Sequence, residues 1–279
     1  MTNFNKNSLE TTFQYVSDVR IWGQLRNCHE PIDRSAVDLL RLRLTFTAHN
    51  RSPIMQVPTD MQPLTNLNVT RNPVLLVHGL MDTRQKMGSI AKYLRGLGWE
   101  VYDIDLTPNN GATRLEILAA QVCDLVDRTF APHQSIDLLG FSMGGIVTRY
   151  YIQRLGGIDR VQRFVTISAP HRGTIAAHFS LRPGCMQMRP DSDFMRDLNS
   201  DVDRLNSLNF TSLWTPFDLI ILPPNSSELG IGTEIAVPVV AHPLMVSDRR
   251  ILQLIAHALS QPIVSPTRSN SLAPKIASL

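Results

Sequence analysis

A Gly-x-Ser-x-Gly pattern centred on Ser142 is the strongest indication of chemistry in this chain. It lies between the strand-like segment 136–140 and the helix-like segment 146–155, so the serine is predicted at a sharp strand-to-helix turn. A free serine is a poor nucleophile and needs a base within hydrogen-bond reach. The pattern therefore predicts a serine hydrolase, and it requires a histidine, a carboxylate and an oxyanion hole elsewhere in the chain.

His242 is the predicted base among the eight histidines of the chain. It follows the apolar run 237–241, and a loop after the last predicted strand lies over the end of the sheet, where a histidine can reach Ser142. We therefore expect its imidazole to accept the serine proton. Two histidines stay as alternatives: His171, just after the fourth predicted strand, and His257, in the middle of the last predicted helix.

Asp218 is the predicted acid, which would orient the imidazole and stabilise its charge. It lies in the apolar segment 214–221, where an unpaired carboxylate is costly to bury, so a partner is expected. The chain order Ser142, Asp218, His242 is one of the orders that serine hydrolases use. Three rival carboxylates lie in polar segments, where a solvated charge is the default interpretation: Asp191, Asp193 and Glu228.

Two backbone N–H groups are predicted to form the oxyanion hole. One belongs to Met143, directly after the nucleophile, and the other to Leu80, in the loop after the first predicted strand. Gly79 would permit the tight turn that this loop needs. Both donors would aim at the negative charge that develops on the substrate oxygen in the transition state.

Strands and helices alternate from residue 73 onward, which indicates β-α-β units. The strand-like runs are short and apolar, as in parallel sheets that are buried on both faces. The predicted fold class is therefore α/β, with a mostly parallel sheet and helices on both faces. The six predicted strands span residues 74–77, 99–106, 136–140, 161–167, 217–222 and 235–240.

The chain divides into three predicted parts. Residues 1–70 show poor periodicity and are assigned as an N-terminal extension without chemistry, whereas residues 71–261 form the predicted catalytic domain. Residues 171–209 interrupt the alternation on the side where active-site loops gather, so they are predicted as a small insertion that could act as a lid. The Ser- and Pro-rich residues 262–279 are predicted to be a disordered tail.

Composition and charge favour a soluble enzyme. The net charge is only +3, so nucleic-acid binding gains no support. The three cysteines match no metal or redox spacing, no run of eighteen apolar residues predicts a membrane span, and the first residues lack a signal-peptide pattern. The expected location is the cytoplasm. A weak contact of the basic tail with an anionic membrane surface stays open, and the sequence is silent on oligomeric state.

Together, these residues give the chain a resemblance to the small serine lipases and esterases of the α/β-hydrolase fold. The resemblance covers about residues 71–260, and its blocks are specific to the family in combination, though not to a substrate. It rests on residues 78–82, 140–145 and 168–174 and on the segments around Asp218 and His242.

This resemblance implies hydrolysis of carboxylic esters, of lipids or other apolar acyl groups, through an acyl-enzyme and without a metal or organic cofactor. It also implies a substrate pocket lined by Met81 and shaped by His171. Phe141 stands where many lipases have histidine, a departure that is not expected to affect the chemistry. Ordinary core packing explains three other candidate acyl-pocket residues equally well: Phe179, Met186 and Met188.

Two other functions stay open from the sequence. An acyltransferase or thioesterase would use the same three side chains, and its product would depend on the acceptor or on the thiol released. A non-catalytic binding module on the same fold is the remaining alternative, and the complete Ser, Asp and His set argues against it.

Overall fold

The computed structural model describes residues 71–263; the expectations for residues 1–70 and for the tail after residue 263 lie outside the described residues. The strands are β1 (Val74–Val77), β2 (Val101–Ile104), β3 (Ile136–Phe141), β4 (Val161–Ile167), β5 (Asn209–Trp214) and β6 (Thr233–Ala236). They form one sheet in the order β2-β1-β3-β4-β5-β6, and every neighbouring pair is parallel. The predicted α/β fold with a six-stranded parallel sheet is confirmed.

Helices cover both faces of this sheet: α1 (Gly88–Gly96), α2 (Leu115–Thr129), α3 (Met143–Arg154), α4 (Pro183–Gln187), α5 (Asp193–Ser200) and α6 (Arg249–Ala258). Alternate strand residues point to opposite faces. In β1, Leu75 and Val77 belong to the apolar cluster with α2 and α3, whereas Val74 and Leu76 belong to the cluster with α1 and α6. None of the helices within residues 71–263 is long and apolar enough to cross a membrane.

The predicted fifth strand is wrong. The strand ends at Trp214, and residues 217–222 form a loop beyond it, in which Phe217 is 53% exposed. The apolar pattern misses β5 because the strand buries polar residues: Ser212, for example, donates its hydroxyl hydrogen to the carbonyl of Ser227 at 2.8 Å. Strand β6 spans Thr233–Ala236, so it begins and ends earlier in the chain than the predicted strand 235–240.

The predicted insertion, residues 171–209, includes α4 and α5 and is hydrogen-bonded to helix α3. The buried guanidinium of Arg149, on α3, donates to the carbonyl of Leu198 at 2.6 Å and to that of His171 at 3.2 Å. Burial lowers the pKa of Arg149 to about 9. Backbone carbonyls from the first residue of the insertion and from α5 therefore meet one side chain of the helix that follows Ser142. Whether the insertion acts as a lid stays a prediction.

A buried ion pair lies at the amino edge of the sheet. Arg163 Nη1, on β4, is 3.1 Å from Asp137 Oδ2, on β3, and neither side chain is more than 1% exposed. Asn72 Nδ2 donates to Asp137 Oδ1 at 3.0 Å, and Arg163 Nε donates to the carbonyl of Gln261 at 2.9 Å. The pair thus joins Asn72 and Gln261, close to the two ends of the described range, to the middle of the sheet.

Candidate active site

Ser142 lies at the turn between β3 and α3, where its backbone has φ 54° and ψ −125°. A positive φ is uncommon for a residue with a side chain, and here the Ser142 N–H is held by the carbonyl of Ile167 at 2.9 Å. Gly144 lets the helix start close to β1, because a Cβ there would lie 2.4 Å from the carbonyl oxygens of Val77 and His78. The Ser142 hydroxyl makes no hydrogen bond within residues 71–263, to His242 or to any other group, and the residue is 8% exposed.

Asp218 and His242 form a buried pair on the loops that follow β5 and β6. His242 Nδ1 lies 2.7 Å from Asp218 Oδ2. The other carboxylate oxygen, Oδ1, accepts hydrogen bonds from the N–H groups of Ile220 and Ile221, each at 2.9 Å. These partners offset the cost of burying the carboxylate. With Asp218 as acceptor, His242 Nδ1 carries its proton and Nε2 is the nitrogen left to act as a base.

Thr215 ties these two loops together. Its hydroxyl donates to the carbonyl of Val239 at 2.6 Å and accepts a hydrogen bond from the N–H of Phe217 at 3.2 Å. The side chain is fully buried, so water does not compete for these bonds. The loop with the carboxylate is thereby held in register with the segment that leads to the imidazole.

The backbone N–H groups of Leu80 and Met143 donate to no acceptor in the part of the chain that the structure describes. Gly79 allows their two loops to approach, since a Cβ there would lie 3.0 Å from the Cβ of the serine. His78 stabilises this turn through both ring nitrogens. Its Nε2 accepts a hydrogen bond from a backbone N–H in the loop after β2, at 3.0 Å. The proton of the ring is therefore on Nδ1, which donates to the carbonyl of Gly79 at 2.8 Å.

The rivals of Asp218 and His242 make no hydrogen bond or ion pair with either residue. His257 is exposed on α6 and contacts Gln261 at 2.9 Å. Asp191 and Asp193 are also exposed, as solvated charges are expected to be. Glu228 is half-buried, and its pKa is raised by burial and by the neighbouring Glu234.

His171 is fully buried, which does not support its expected place in a substrate pocket. Its Nε2 lies 2.9 Å from the hydroxyl of Thr166, and its ring packs edge-on against Phe210. Burial holds the pKa of His171 well below its usual value, and Arg149 and Arg172 add to that effect. The side chain is therefore a neutral core residue beneath the loop after β4.

Large apolar side chains stand exposed on the loops that follow β1, β5 and β6. Because the carboxyl ends of parallel strands meet at one edge, these side chains share that edge with Ser142 and His242. Exposed apolar patches of this kind mark binding surfaces. The side chains, each 40–58% exposed, are Met81, Phe217, Leu219, Ile220, Val240 and Leu244; we call this set the apolar rim.

Two further residues near the imidazole were assigned no role from the sequence. The ring of Phe141 packs against that of His242, with centroids 4.9 Å apart. Asp82 is partly buried: burial raises its pKa, and Lys86, His78 and His242 lower it. In the sequence, Phe141 stood out only as a departure from the histidine of many lipases, and Asp82 only as a member of the block 78–82.

A family model described as palmitoyl protein thioesterase matches residues 73–216. The chain belongs to this family. The matched residues include the loop at Leu80 and the serine turn, and they end before Asp218 and His242. The match therefore covers Ser142 and the N–H groups of Leu80 and Met143, and it does not reach Asp218 or His242.

Two curated relatives and a solved structure accompany the family match. Triacylglycerol lipases of Pseudarthrobacter phenanthrenivorans and Burkholderia plantarii are each 32% identical over 124 residues, which is 39% of this chain and 36% and 32% of those proteins. The chain thus matches about a third of the length of these relatives. The mature lipase BlEst2 of Bacillus licheniformis aligns with a TM-score of 0.57 at 16% identity, over 72% of this chain and 96% of that one. The fold is that of the α/β hydrolases.

Proposed function

We propose that this chain is a serine hydrolase that cleaves carboxylic esters with apolar acyl groups. Ser142 is the nucleophile, His242 the base and Asp218 the acid that orients it. The observation that carries the proposal is the buried 2.7 Å contact between His242 Nδ1 and Asp218 Oδ2, on loops at the same sheet edge as the serine turn. Such a pair holds the imidazole in one tautomer and stabilises the imidazolium that forms.

In the acylation step, Ser142 Oγ attacks the ester carbonyl carbon while His242 Nε2 takes the hydroxyl proton. Negative charge collects on the carbonyl oxygen, where the N–H groups of Leu80 and Met143 stabilise it. When the tetrahedral intermediate collapses, the bond to the alcohol oxygen breaks, and His242 gives its proton to the leaving alcohol.

Deacylation reverses these roles with water as the nucleophile. His242 Nε2 takes a proton from water as its oxygen attacks the acyl carbon. The second tetrahedral intermediate then releases the carboxylic acid, and the proton on His242 returns to Ser142 Oγ. Each step uses only these side chains, the two N–H groups and water.

The apolar rim supports an apolar acyl group as the part of the substrate that binds beside the nucleophile. A thioester is the second candidate, favoured by the family match to palmitoyl protein thioesterase. The lipase relatives favour an oxygen ester. Hydrolysis of oxygen esters and thioesters with the same acyl group, in a series from four to sixteen carbons, measures which linkage and length the site prefers.

Replacing Ser142 tests the proposal directly. We expect Ser142→Ala to lower kcat for a p-nitrophenyl ester by on the order of 10⁶, because no other group takes the place of the hydroxyl. A fluorophosphonate should label the wild-type protein at Ser142 alone, as located by mass spectrometry of the peptides. The control is Ser168→Ala, which removes the hydroxyl of a buried serine after β4 and should retain activity. Full activity in folded Ser142→Ala would refute the proposal.

A further inference from the structure

Phe141 contacts the proposed base from the strand that carries the proposed nucleophile. It is the last residue of β3, its side chain is 1% exposed, and its backbone pairs with Ile167 of β4. The centroid of its ring is 4.9 Å from that of the His242 imidazole, and the two ring planes are inclined by 36°. One face of the imidazole is therefore covered by a ring that belongs to the residue directly before Ser142.

The hydrogen bond to Asp218 restrains the imidazole through a single contact, Nδ1 to Oδ2 at 2.7 Å. One hydrogen bond tolerates a range of angles, and the torsion that turns a histidine ring about its Cβ–Cγ bond has a broad energy profile, so the ring can still rock. A neighbour packed against the ring face narrows this motion, and with it the direction of Nε2. His242 begins a short 3-10 helix, His242–Leu244, whose backbone bonds do not restrain this torsion.

Phe141 is well placed to provide that restraint. It is anchored in the sheet and belongs to the buried apolar cluster that includes Leu139, Ile167 and Met245. Any shift of its ring would disturb this close-packed cluster, which makes the ring a rigid reference surface. The same backbone continues into Ser142, so the plane of the base and the position of the nucleophile share one support. A reacting group displaced by about 1 Å can cost about 10²-fold in rate.

We propose that Phe141 is a positioning residue that sets the plane of the His242 imidazole relative to Ser142. The inference rests on the proposed function, because it assigns the ring contact to the acid–base step. It is compatible with the expectation that phenylalanine in place of histidine does not affect the chemistry, and it adds a role for the ring itself. What the site needs here is a flat ring, whether phenylalanine or, as in many lipases, histidine.

Three variants test the proposal. Phe141→Leu keeps an apolar side chain but removes the flat ring, and we expect kcat to fall by about 10²-fold with KM changed by less than about threefold. Phe141→His restores a flat ring of smaller size, and its kcat should be at least about tenfold higher than that of Phe141→Leu. The control is Phe164→Leu, which makes the same change in a fully buried residue of β4 that packs on Phe210 and not on His242, and it should keep kcat within about threefold.

A second measurement does not depend on turnover. The Nδ1 proton of His242, held by Asp218, should give a slowly exchanging NMR resonance in the wild type and in Phe141→His. In Phe141→Leu this resonance should broaden while the protein stays folded.

The proposal is overturned if Phe141→Leu keeps the kcat of the wild type. It is also overturned if Phe141→Leu and Phe164→Leu both lose kcat in proportion to their loss of Tm. Should Phe141→Leu not fold, Phe141→Met takes its place, and activity in Phe141→Met equal to that of Phe141→His overturns the proposal. Fluorophosphonate labelling of Ser142 is measured in the same preparations, so a failure of the proposed function is recognised separately.

Discussion

At the scale of single residues, the two oxygens of the Asp218 carboxylate have separate tasks. Oδ1 accepts the N–H groups of Ile220 and Ile221, which fixes the orientation of the carboxylate in its own loop. Oδ2 is left for His242 Nδ1 at 2.7 Å. In an asparagine at this position, only the amide oxygen could accept the N–H groups of Ile220 and Ile221. The NH₂ group would then face the imidazole of His242.

Asp218→Asn should therefore leave the protein folded and impair the reaction. The amide NH₂ would favour the tautomer of His242 with its proton on Nε2, which cannot accept the proton of Ser142. We expect kcat to fall by about 10⁴-fold, measured with a p-nitrophenyl ester, with KM little changed. The matched control is Glu228→Gln, at a half-buried carboxylate without contact to His242. An equal loss in both variants would remove Asp218 from the proposed site.

At the scale of elements, helix α3 joins the serine turn to the insertion. Its Arg154 lies 2.8 Å from Asp201 and 3.0 Å from Asp197, which follow or belong to α5. Together with the bonds from Arg149, these contacts hold the C-terminal half of residues 171–209 on the same helix that begins after Ser142. A lid movement of that half would have to break charged hydrogen bonds first.

Arg154→Leu should loosen the insertion without disturbing the sheet. Partly exposed ion pairs contribute up to about 1 kcal/mol, so amide hydrogen exchange in residues 193–207 should become about fivefold faster. Exchange in β3 and β4 should stay unchanged. Arg196→Leu is the control, because Arg196 pairs with Asp193 within α5 and does not reach α3. Equal exchange rates in the two variants would show that the contact with α3 does not restrain the insertion.

At the scale of the whole molecule, the Asp137–Arg163 pair connects segments that are far apart in sequence. Its hydrogen bonds reach Asn72 before β1 and Gln261 after α6, so both ends of the described chain depend on it. Buried ion pairs are weak evidence for net stability, because desolvation offsets the attraction between the charges. Removing one partner is different, since the other charge then stays buried without compensation.

Asp137→Leu should destabilise the fold by about 3–5 kcal/mol, because it leaves the Arg163 guanidinium unpaired. At about 2–4 °C per kcal/mol for a domain of this size, Tm should fall by about 10 °C, measured by calorimetry. The double variant Asp137→Leu, Arg163→Met removes both charges and should recover most of that loss. Arg84→Met, at a mostly exposed ion pair, should change Tm by less than about 3 °C. A double variant less stable than the single one would contradict this account.

Much of the fold could be predicted because β1, β3 and β4 bury both faces, so that β1 is entirely apolar and β3 and β4 are mostly apolar with few polar positions. Strand β5 could not, since Thr211 and Ser212 are buried in it, and the partner of the Ser212 hydroxyl, the carbonyl of Ser227, is one that only the fold supplies. His242 was proposed because it follows the last apolar run, and Asp218 because a carboxylate in an apolar segment needs a partner, although residues 217–222 form a loop and not the strand expected there. The contact of Phe141 with His242 was missed, because no periodicity relates residues about a hundred positions apart.

The six parallel strands give the molecule two unlike poles. Residues 71 and 263 both lie at the pole where strands begin, as the bonds of Asn72 to Asp137 and of Asn209 to the carbonyl of Pro262 require. Ser142 lies at the opposite pole, where β3 ends. A linker attached at either of those positions would therefore fix the protein to a solid support with the proposed active site facing solution. Attachment at the position of Phe217 or Val240, in the apolar rim, would instead cover the proposed active site.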